Sequence, residues 1–175
     1  NDPLYPIYSF IDPDLSGTAE QGKAELSSLI GNRHGFDTVK PVLLLKYLIS
    51  TFASEEDIIV DFYSGSATTA QAVMELNAES GDSKRKFIMV QIDEQFEEGN
   101  EAIVAGFKNI CEIGKERIRR AGDKIKEENK DKEYIGKIDA GFRVLKLADT
   151  NMNDVYYAAG DYTQDMLSLM EGNIK

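Results

Sequence analysis

Asp57-Ile58-Ile59-Val60-Asp61, continued by Phe62-Tyr63-Ser64-Gly65-Ser66-Ala67-Thr68-Thr69, sets the architecture of this chain. The first five residues are a short apolar run between two acids, the pattern of a parallel strand buried on both faces. Ser64-Gly65-Ser66 turns the chain, and a helix is expected from about Thr68 to Leu76. Asn77 to Ser83 is polar and turn-like, and Phe87-Ile88-Met89-Val90-Gln91-Ile92 reads as a second buried strand. Strand, glycine turn, helix and strand make a βαβ unit, whose crossover is right-handed.

Outward from this unit the pattern stays mixed. Upstream, Ser16-Gly17-Thr18 opens a helix through Leu26, Leu29 and Ile30, closed by Gly31-Asn32. A loop from Arg33 to Lys40 leads to Pro41, placed in the first turn of a helix with Leu45, Leu48, Ile49 and Phe52 at helical spacing. Downstream, Asn109-Ile110-Cys111-Glu112 has the form of a capping box. Its helix carries Ile110, Ile113, Ile118, Ala121 and Ile125 and runs to about Glu128. Phe142 to Leu147 is expected to be a third strand, parallel to the other two, and Asp165 to Met170 a last amphipathic helix. A short strand-like stretch is expected at Ile7 to Ile11.

The glycine turn can do specific chemistry. Open α/β sheets bind ligands at the carboxyl ends of their strands, beside such turns. Gly65 has no Cβ, so backbone can come close to a ligand. Free N–H groups at the helix start favour an anionic group such as a carboxylate, and Asp61 at the strand end can hold an ammonium. A zwitterionic amino-acid moiety satisfies both. A phosphate-binding loop would need a Gly-Lys-Ser/Thr ending, and a dinucleotide fingerprint three glycines at fixed spacing; Ala67 and Ala70 stand in the other glycine places. Taken by itself, the turn also fits a tight strand–helix connection with no ligand.

Composition narrows the classes. The chain has 175 residues and a formal net charge of -11, which argues against its being the main nucleic-acid surface. The basic run Lys115, Arg117, Arg119, Arg120, Lys124, Lys126 is expected to be the solvated face of a helix. One cysteine, Cys111, and one histidine, His34, give no zinc site and no internal disulfide. Cys111 is read as a small apolar residue on its helix, and a cytoplasmic location is expected. No apolar run approaches the roughly 20 residues of a membrane span. With no initiator Met and no signal-like start, the chain is expected to be cut from a longer protein.

Two segments together carry a resemblance. Phe36-Asp37-Thr38-Val39-Lys40-Pro41-Val42 resembles the Phe-Asp-x-Pro-Lys-Pro motif of DNA amino-methyltransferases, and Asp61 to Thr69 resembles their Asp-x-Phe-x-Gly-Ser-Gly-Thr-Thr motif. Their order is that of the β group. Lys108-Asn109-Ile110, Lys115 to Ala121, Gly141 to Val144 and Asn151-Met152 are similar to the C-terminal end of type III restriction-modification methyltransferase (Mod) subunits. The resemblance implies a Rossmann-like α/β methyltransferase fold with an incomplete, mostly parallel sheet, and S-adenosyl-L-methionine as cofactor. It implies that Phe36 and Asp37 contact the adenosine side and Lys40 the carboxylate. Asp61, Tyr63, Ser64, Gly65, Ser66, Thr68 and Thr69 would surround the methionine moiety. Gln91 stands where relatives place a Glu that binds both ribose hydroxyls; a Gln accepts one bond and donates the other. Val39, Tyr63 and Ala67 depart from the usual Pro, Phe and Gly. Ala67 is expected to keep helical or extended dihedrals, because a Cβ penalises positive φ.

The resemblance also implies a missing half. An Asp-Pro-Pro-Tyr-like motif would bind the target amino group and stack on a flipped base. The near match Asp2-Pro3-Leu4-Tyr5 has Leu in the second proline place and lies only about 30 residues before Phe36, so it is read as a decoy. Tyr5-Pro6-Ile7-Tyr8 resembles instead a stretch between the catalytic and cofactor motifs of Mod subunits. The chain is thus expected to be one partial methyltransferase domain: a lead-in to residue 35, a cofactor-binding core over 36–148 and a helical tail over 149–175. The intact protein would methylate an adenine amino group in DNA, as a homodimer, beside a restriction subunit, away from membranes. No metal and no catalytic residue is assigned to the chain, and by itself it is expected to be inactive. The alternatives are a non-catalytic module for dimerisation or restriction-subunit contact, and another nucleotide-binding α/β domain.

Overall fold

The structure, a computed structural model, describes residues 10–81, 83–149 and 151. Its elements are α1 (Pro13–Ser16), α2 (Ala19–Ile30), α3 (Val42–Phe52), β1 (Ile58–Asp61), α4 (Thr68–Ser80), β2 (Lys86–Met89), α5 (Glu101–Val104) and α6 (Ile110–Glu128), then a single 3-10 turn at Ile135–Lys137. The chain divides at Gly141 into two compact units. The expected helix at Asp165 to Met170, the Asp2–Tyr5 and Tyr5–Tyr8 segments and most of the Ile7–Ile11 stretch lie outside the described residues.

The βαβ unit is present. β1 and β2 pair in parallel, Ile58 opposite Lys86 and Asp61 opposite Met89. Pairing continues past both strands, with Val90 N donating to Asp61 O at 2.8 Å and Ser64 N to Val90 O at 3.2 Å. α3 and α4 cover one face, where Ile59 and Phe87 pack against Val42, Ile49, Ala72 and Val73. The sequence pattern predicts strands buried on both faces, and here it is corrected. Ile58, Val60 and Ile88 remain 57%, 45% and 49% exposed, because no described helix covers the second face. That is an apolar patch of the kind that marks an interaction surface.

Three further expectations need correction. α4 runs to Ser80 rather than ending near Leu76. Its polar last turn is held by Asn77 Nδ2 donating to Arg85 O and by Ser83 Oγ donating to Asn77 Oδ1, before Gly81 ends it in the left-handed conformation. Residues 142–147 form no strand, and Leu147 is 99% exposed; apolar spacing supplies no partner ladder by itself. The basic run on α6 is not uniformly solvated. Arg119, Arg120 and Lys124 are exposed and pair with Glu116 and Glu128, but Arg117 is fully buried. The α5 helix went unread because four residues show no periodicity; Asn100 caps it by accepting from Ala102 N. Among the described residues, no helix is long and apolar enough to cross a membrane.

The loop before α3 is placed by α2. Thr18 and Gln21 cap α2 reciprocally. Pro41 is the N-cap of α3 and offers no side-chain acceptor; Glu25 of α2 supplies it, its Oε2 accepting from Val42 N at 2.9 Å. Three residues earlier, Gly22 lies on the Val39–Pro41 backbone. A Cβ there would stand 2.7 Å from Lys40 C and 2.8 Å from Pro41 N, and nearer still to the Val39 carbonyl oxygen. Gly22→Ala therefore tests this contact. In a free helix the change would stabilise by about 1 kcal/mol; here overpacking against backbone should destabilise by about 1–3 kcal/mol. Urea unfolding reads the sign, and a variant as stable as the parent would contradict the contact.

Candidate functional site

The two motif segments meet at the carboxyl end of β1. The Phe36 ring is the nearest group above Gly65: a Cβ on Gly65 would lie 3.9 Å from Phe36 Cε1, with no other atom so close. Gly65 has φ 50, so its missing side chain serves the turn as well as the approach. Phe36 also packs on the core around Leu26, Val39 and Ile113.

Phe36 is held by His34, whose role the sequence reading missed. The ring is buried, accepts from Phe36 N at Nδ1 (3.1 Å) and meets Ser27 Oγ at Nε2 (3.0 Å). Accepting at Nδ1 leaves the proton on Nε2, so the imidazole is neutral in this arrangement. Burial lowers its pKa below the ordinary value, and Lys23 and Arg117 push the same way against Glu101.

Within the turn, Asp61 Oδ2 accepts from Thr69 Oγ1 at 2.6 Å and Oδ1 from Tyr63 N at 3.2 Å. Both carboxylate oxygens keep spare lone pairs. Gln91 reaches across from the end of β2, and its Oε1 accepts from Gly65 N at 2.8 Å. That bond occupies a turn N–H, while Gln91 Nε2 donates to Ile92 O at 3.4 Å and keeps its second N–H. Beside it, Cys111 is half-buried against the Gln91 and Ile92 carbonyls, and burial raises its thiol pKa.

Accessibility divides the turn. Tyr63 is exposed and Asp61, Ser64 and Gly65 are half-buried, whereas Ser66 to Thr69 are buried. The Ser66 and Thr68 hydroxyls accept from Arg117 Nη1. Ala67 takes φ 60 and ψ 36, against the expectation of helical or extended dihedrals. A left-handed residue with a Cβ costs about 1–2 kcal/mol, and Ala67 is the one such non-glycine residue among those described.

Asp37 and Lys40 stand apart. Asp37 lies 3.9 Å from Lys23 on the surface, a pairing of small energetic weight. Lys40 is exposed, and among the described residues no hydrogen bond or ion pair joins it to the turn. A polar hollow of about 290 Å³, lined by residues such as Glu25, Leu43, Lys46 and Lys124, also lies away from the glycine turn.

Residues 12–104 match the model of a family described as DNA methylase. The chain belongs to that family. It is 42% identical over 116 residues to the type III restriction-modification enzyme StyLTI Mod subunit of Salmonella typhimurium, covering 66% of this chain and 18% of that protein. It is 34% identical over 125 residues to the EcoPI Mod subunit of Escherichia phage P1, covering 71% and 18%. The type II methyltransferase M.KpnI of Klebsiella pneumoniae matches at 31% over 110 residues, covering 63% and 26%. The chain thus spans a minor part of the length of these relatives. The matched segment of this family holds both the Phe36–Lys40 loop and the glycine turn.

His34 makes the site pH-sensitive. It is the single histidine, and its folded pKa lies below the unfolded value of about 6.5. Its neutral, doubly bonded state stabilises fully above that value. As pH falls through about 6.5 toward the folded pKa the unfolded chain binds more protons, and this stability is lost at up to about 1.4 kcal/mol per pH unit. Thermal unfolding of the parent should therefore fall more steeply across this window than that of His34→Asn, which keeps an acceptor for Phe36 N. Parallel pH curves would contradict the role.

Proposed function

We propose that this chain is the cofactor-binding part of a DNA amino-methyltransferase of the type III modification kind, and that the Gly65 turn holds S-adenosylmethionine. The observation that carries the reading is the meeting of Phe36 with Gly65, flanked by Asp61 and Gln91 at the ends of two parallel strands. The bare backbone at Gly65, with the Phe36 ring as its nearest neighbour, would suit a flat, partly apolar ligand with a zwitterionic end. The parallel pair with its helical crossover supports a Rossmann-like sheet of which these strands are part; residues 1–175 would be one partial methyltransferase domain with its cofactor-binding core over 36–148, and the exposed face of β1 and β2 would pack against elements of the whole protein outside this partial domain.

When bound, the cofactor supplies a methyl group activated on a sulfonium. The chain's own residues would bind and orient. Phe36 and Asp37 would meet the adenosine side, and Gln91 Nε2 would donate to a ribose hydroxyl while Oε1 stays on Gly65 N. Asp61 would take the ammonium, with Thr69 and Tyr63 N steadying it. Lys40 would reach the carboxylate by swinging on its exposed stem. Ser64 and Gly65 would offer backbone. Ser66 and Thr68, whose hydroxyls are spent on Arg117, would contribute through the shape of the turn. Orientation of this kind is a principal means of catalysis for an in-line transfer. The acceptor in the whole protein would be an adenine amino group in DNA, and its partners a second copy and a restriction subunit, in the cytoplasm.

Binding of S-adenosylmethionine by calorimetry tests the reading. Lys40→Ala should leave stability unchanged, since Lys40 has no hydrogen-bond or ion-pair partner among the described residues, and weaken binding about tenfold. Asp61→Ala should weaken it about ten- to a hundredfold and also lower the unfolding temperature, because Thr69 Oγ1 and Tyr63 N lose their acceptor. Equal affinity of parent and both variants would overturn the assignment. The chain alone should transfer no labelled methyl group to DNA above a heat-killed control.

A further inference from the structure

α6 crosses behind the glycine turn, and two residues three apart on its buried face meet it. A Cβ on Gly114 would stand 3.4 Å from both Ala67 Cβ and Gly65 O, so helix and turn are in contact there. Next along the same face, Arg117 is 0% exposed. Its Nε donates to Gln71 Oε1 at 2.7 Å, and its Nη1 to Ser66 Oγ at 2.9 Å and to Thr68 Oγ1 at 2.6 Å. Its Nη2 is buried without a hydrogen-bond partner among the described residues.

Burial lowers the guanidinium to about 10, with Glu25 and Glu75 opposing the shift, so it remains a cation at neutral pH. A buried cation whose direct hydrogen-bond acceptors are an amide and two hydroxyls is a costly choice for stability alone. What it grips is specific. Ser66 and Thr68 flank Ala67, the left-handed alanine, and one guanidinium nitrogen holds both. Gln71 ties the same group one turn further into α4.

We propose that Arg117 is the positioning residue of the cofactor turn: by bonding the hydroxyls on either side of Ala67 it holds that residue left-handed and keeps the Gly65–Thr69 backbone in its binding shape. It touches no ligand. The effect on affinity rests on the methyl-donor reading above, but the effect on the turn does not.

The experiment uses the full chain and two readouts. Amide hydrogen exchange is followed without ligand in Arg117→Met, and binding of S-adenosylhomocysteine is measured in parallel. Exchange at Gly65 to Thr69 should quicken about tenfold beyond the change in the middle of α3 and α6, and affinity should fall about tenfold or more. Adding Ala67→Gly should recover most of both losses, because glycine adopts positive φ without a clamp. Arg117→Lys should recover little, since one ammonium cannot reproduce the planar fork. If Arg117→Met does not fold, Ser66→Ala and Thr68→Val each remove one of the bonds and carry the same readouts. Uniform loss of protection through all helices, or no recovery with Ala67→Gly, would overturn the proposal. A parent that binds no S-adenosylhomocysteine would remove the methyl-donor reading, while the exchange data still judge Arg117.

Discussion

At Ala67 the chain must leave the end of β1 and enter α4, and it does so through a left-handed residue that carries a Cβ. The strain is tolerated because both sides of the turn are fixed. Ser64 N bonds Val90 O and Gly65 N bonds Gln91 Oε1, which ties the turn to β2. Arg117 and Gly114 close on it from α6. Strained residues of this sort persist where surrounding structure over-determines them, and they gather at functional sites. The accessible part of the turn is its first half, Asp61 to Gly65, with the Phe36 ring beside Gly65.

The second requirement is that the Phe36–Lys40 loop reach that open side. No regular hydrogen bonding holds this segment, so neighbours do. Gly22 lets α2 lie on its backbone, Glu25 caps the helix that follows, and His34 fixes the amide of Phe36. Each acts from α2 or its following loop, which makes α2 the scaffold of the site although none of its residues faces the turn. The loop's two charged side chains, Asp37 and Lys40, have no partner among the described residues closer than the 3.9 Å from Asp37 to Lys23.

Much of this was legible from pattern. The strand–turn–helix of 57–76, the capped helices at 19–30 and 110–128 and the parallel pairing follow from periodicity and cap chemistry, which are local. Less legible were features that depend on contacts distant in sequence. Arg117 sits four residues from Ile113 and four from Ala121, on the apolar stripe of α6, and that spacing was the available sign of its burial; charge count alone pointed the other way. Gly22 resembles any helical glycine until the Val39–Pro41 backbone is laid against it. The third strand failed because strand spacing alone supplies no hydrogen-bonding ladder, and Phe142 to Leu147 takes no strand conformation. The exposed face of β1 and β2 was unreadable because an apolar run reports what a strand can bury, not what covers it. Of the site residues, Phe36, Gly65, Asp61, Thr69 and Gln91 come together, while the charged ends of the loop remain apart from them.

The proposed ligand position lies at Gly65, beside Phe36, within the segment matched to the DNA methylase family. An amide-resolved NMR titration of the chain with S-adenosylmethionine tests that position most directly. The account predicts saturable shifts centred on Phe36, Asp61, Gly65 and Gln91, with little change around Leu43, Lys46 and Lys124 at the polar hollow. Saturable shifts confined to the hollow, with the Gly65 turn silent, would contradict it.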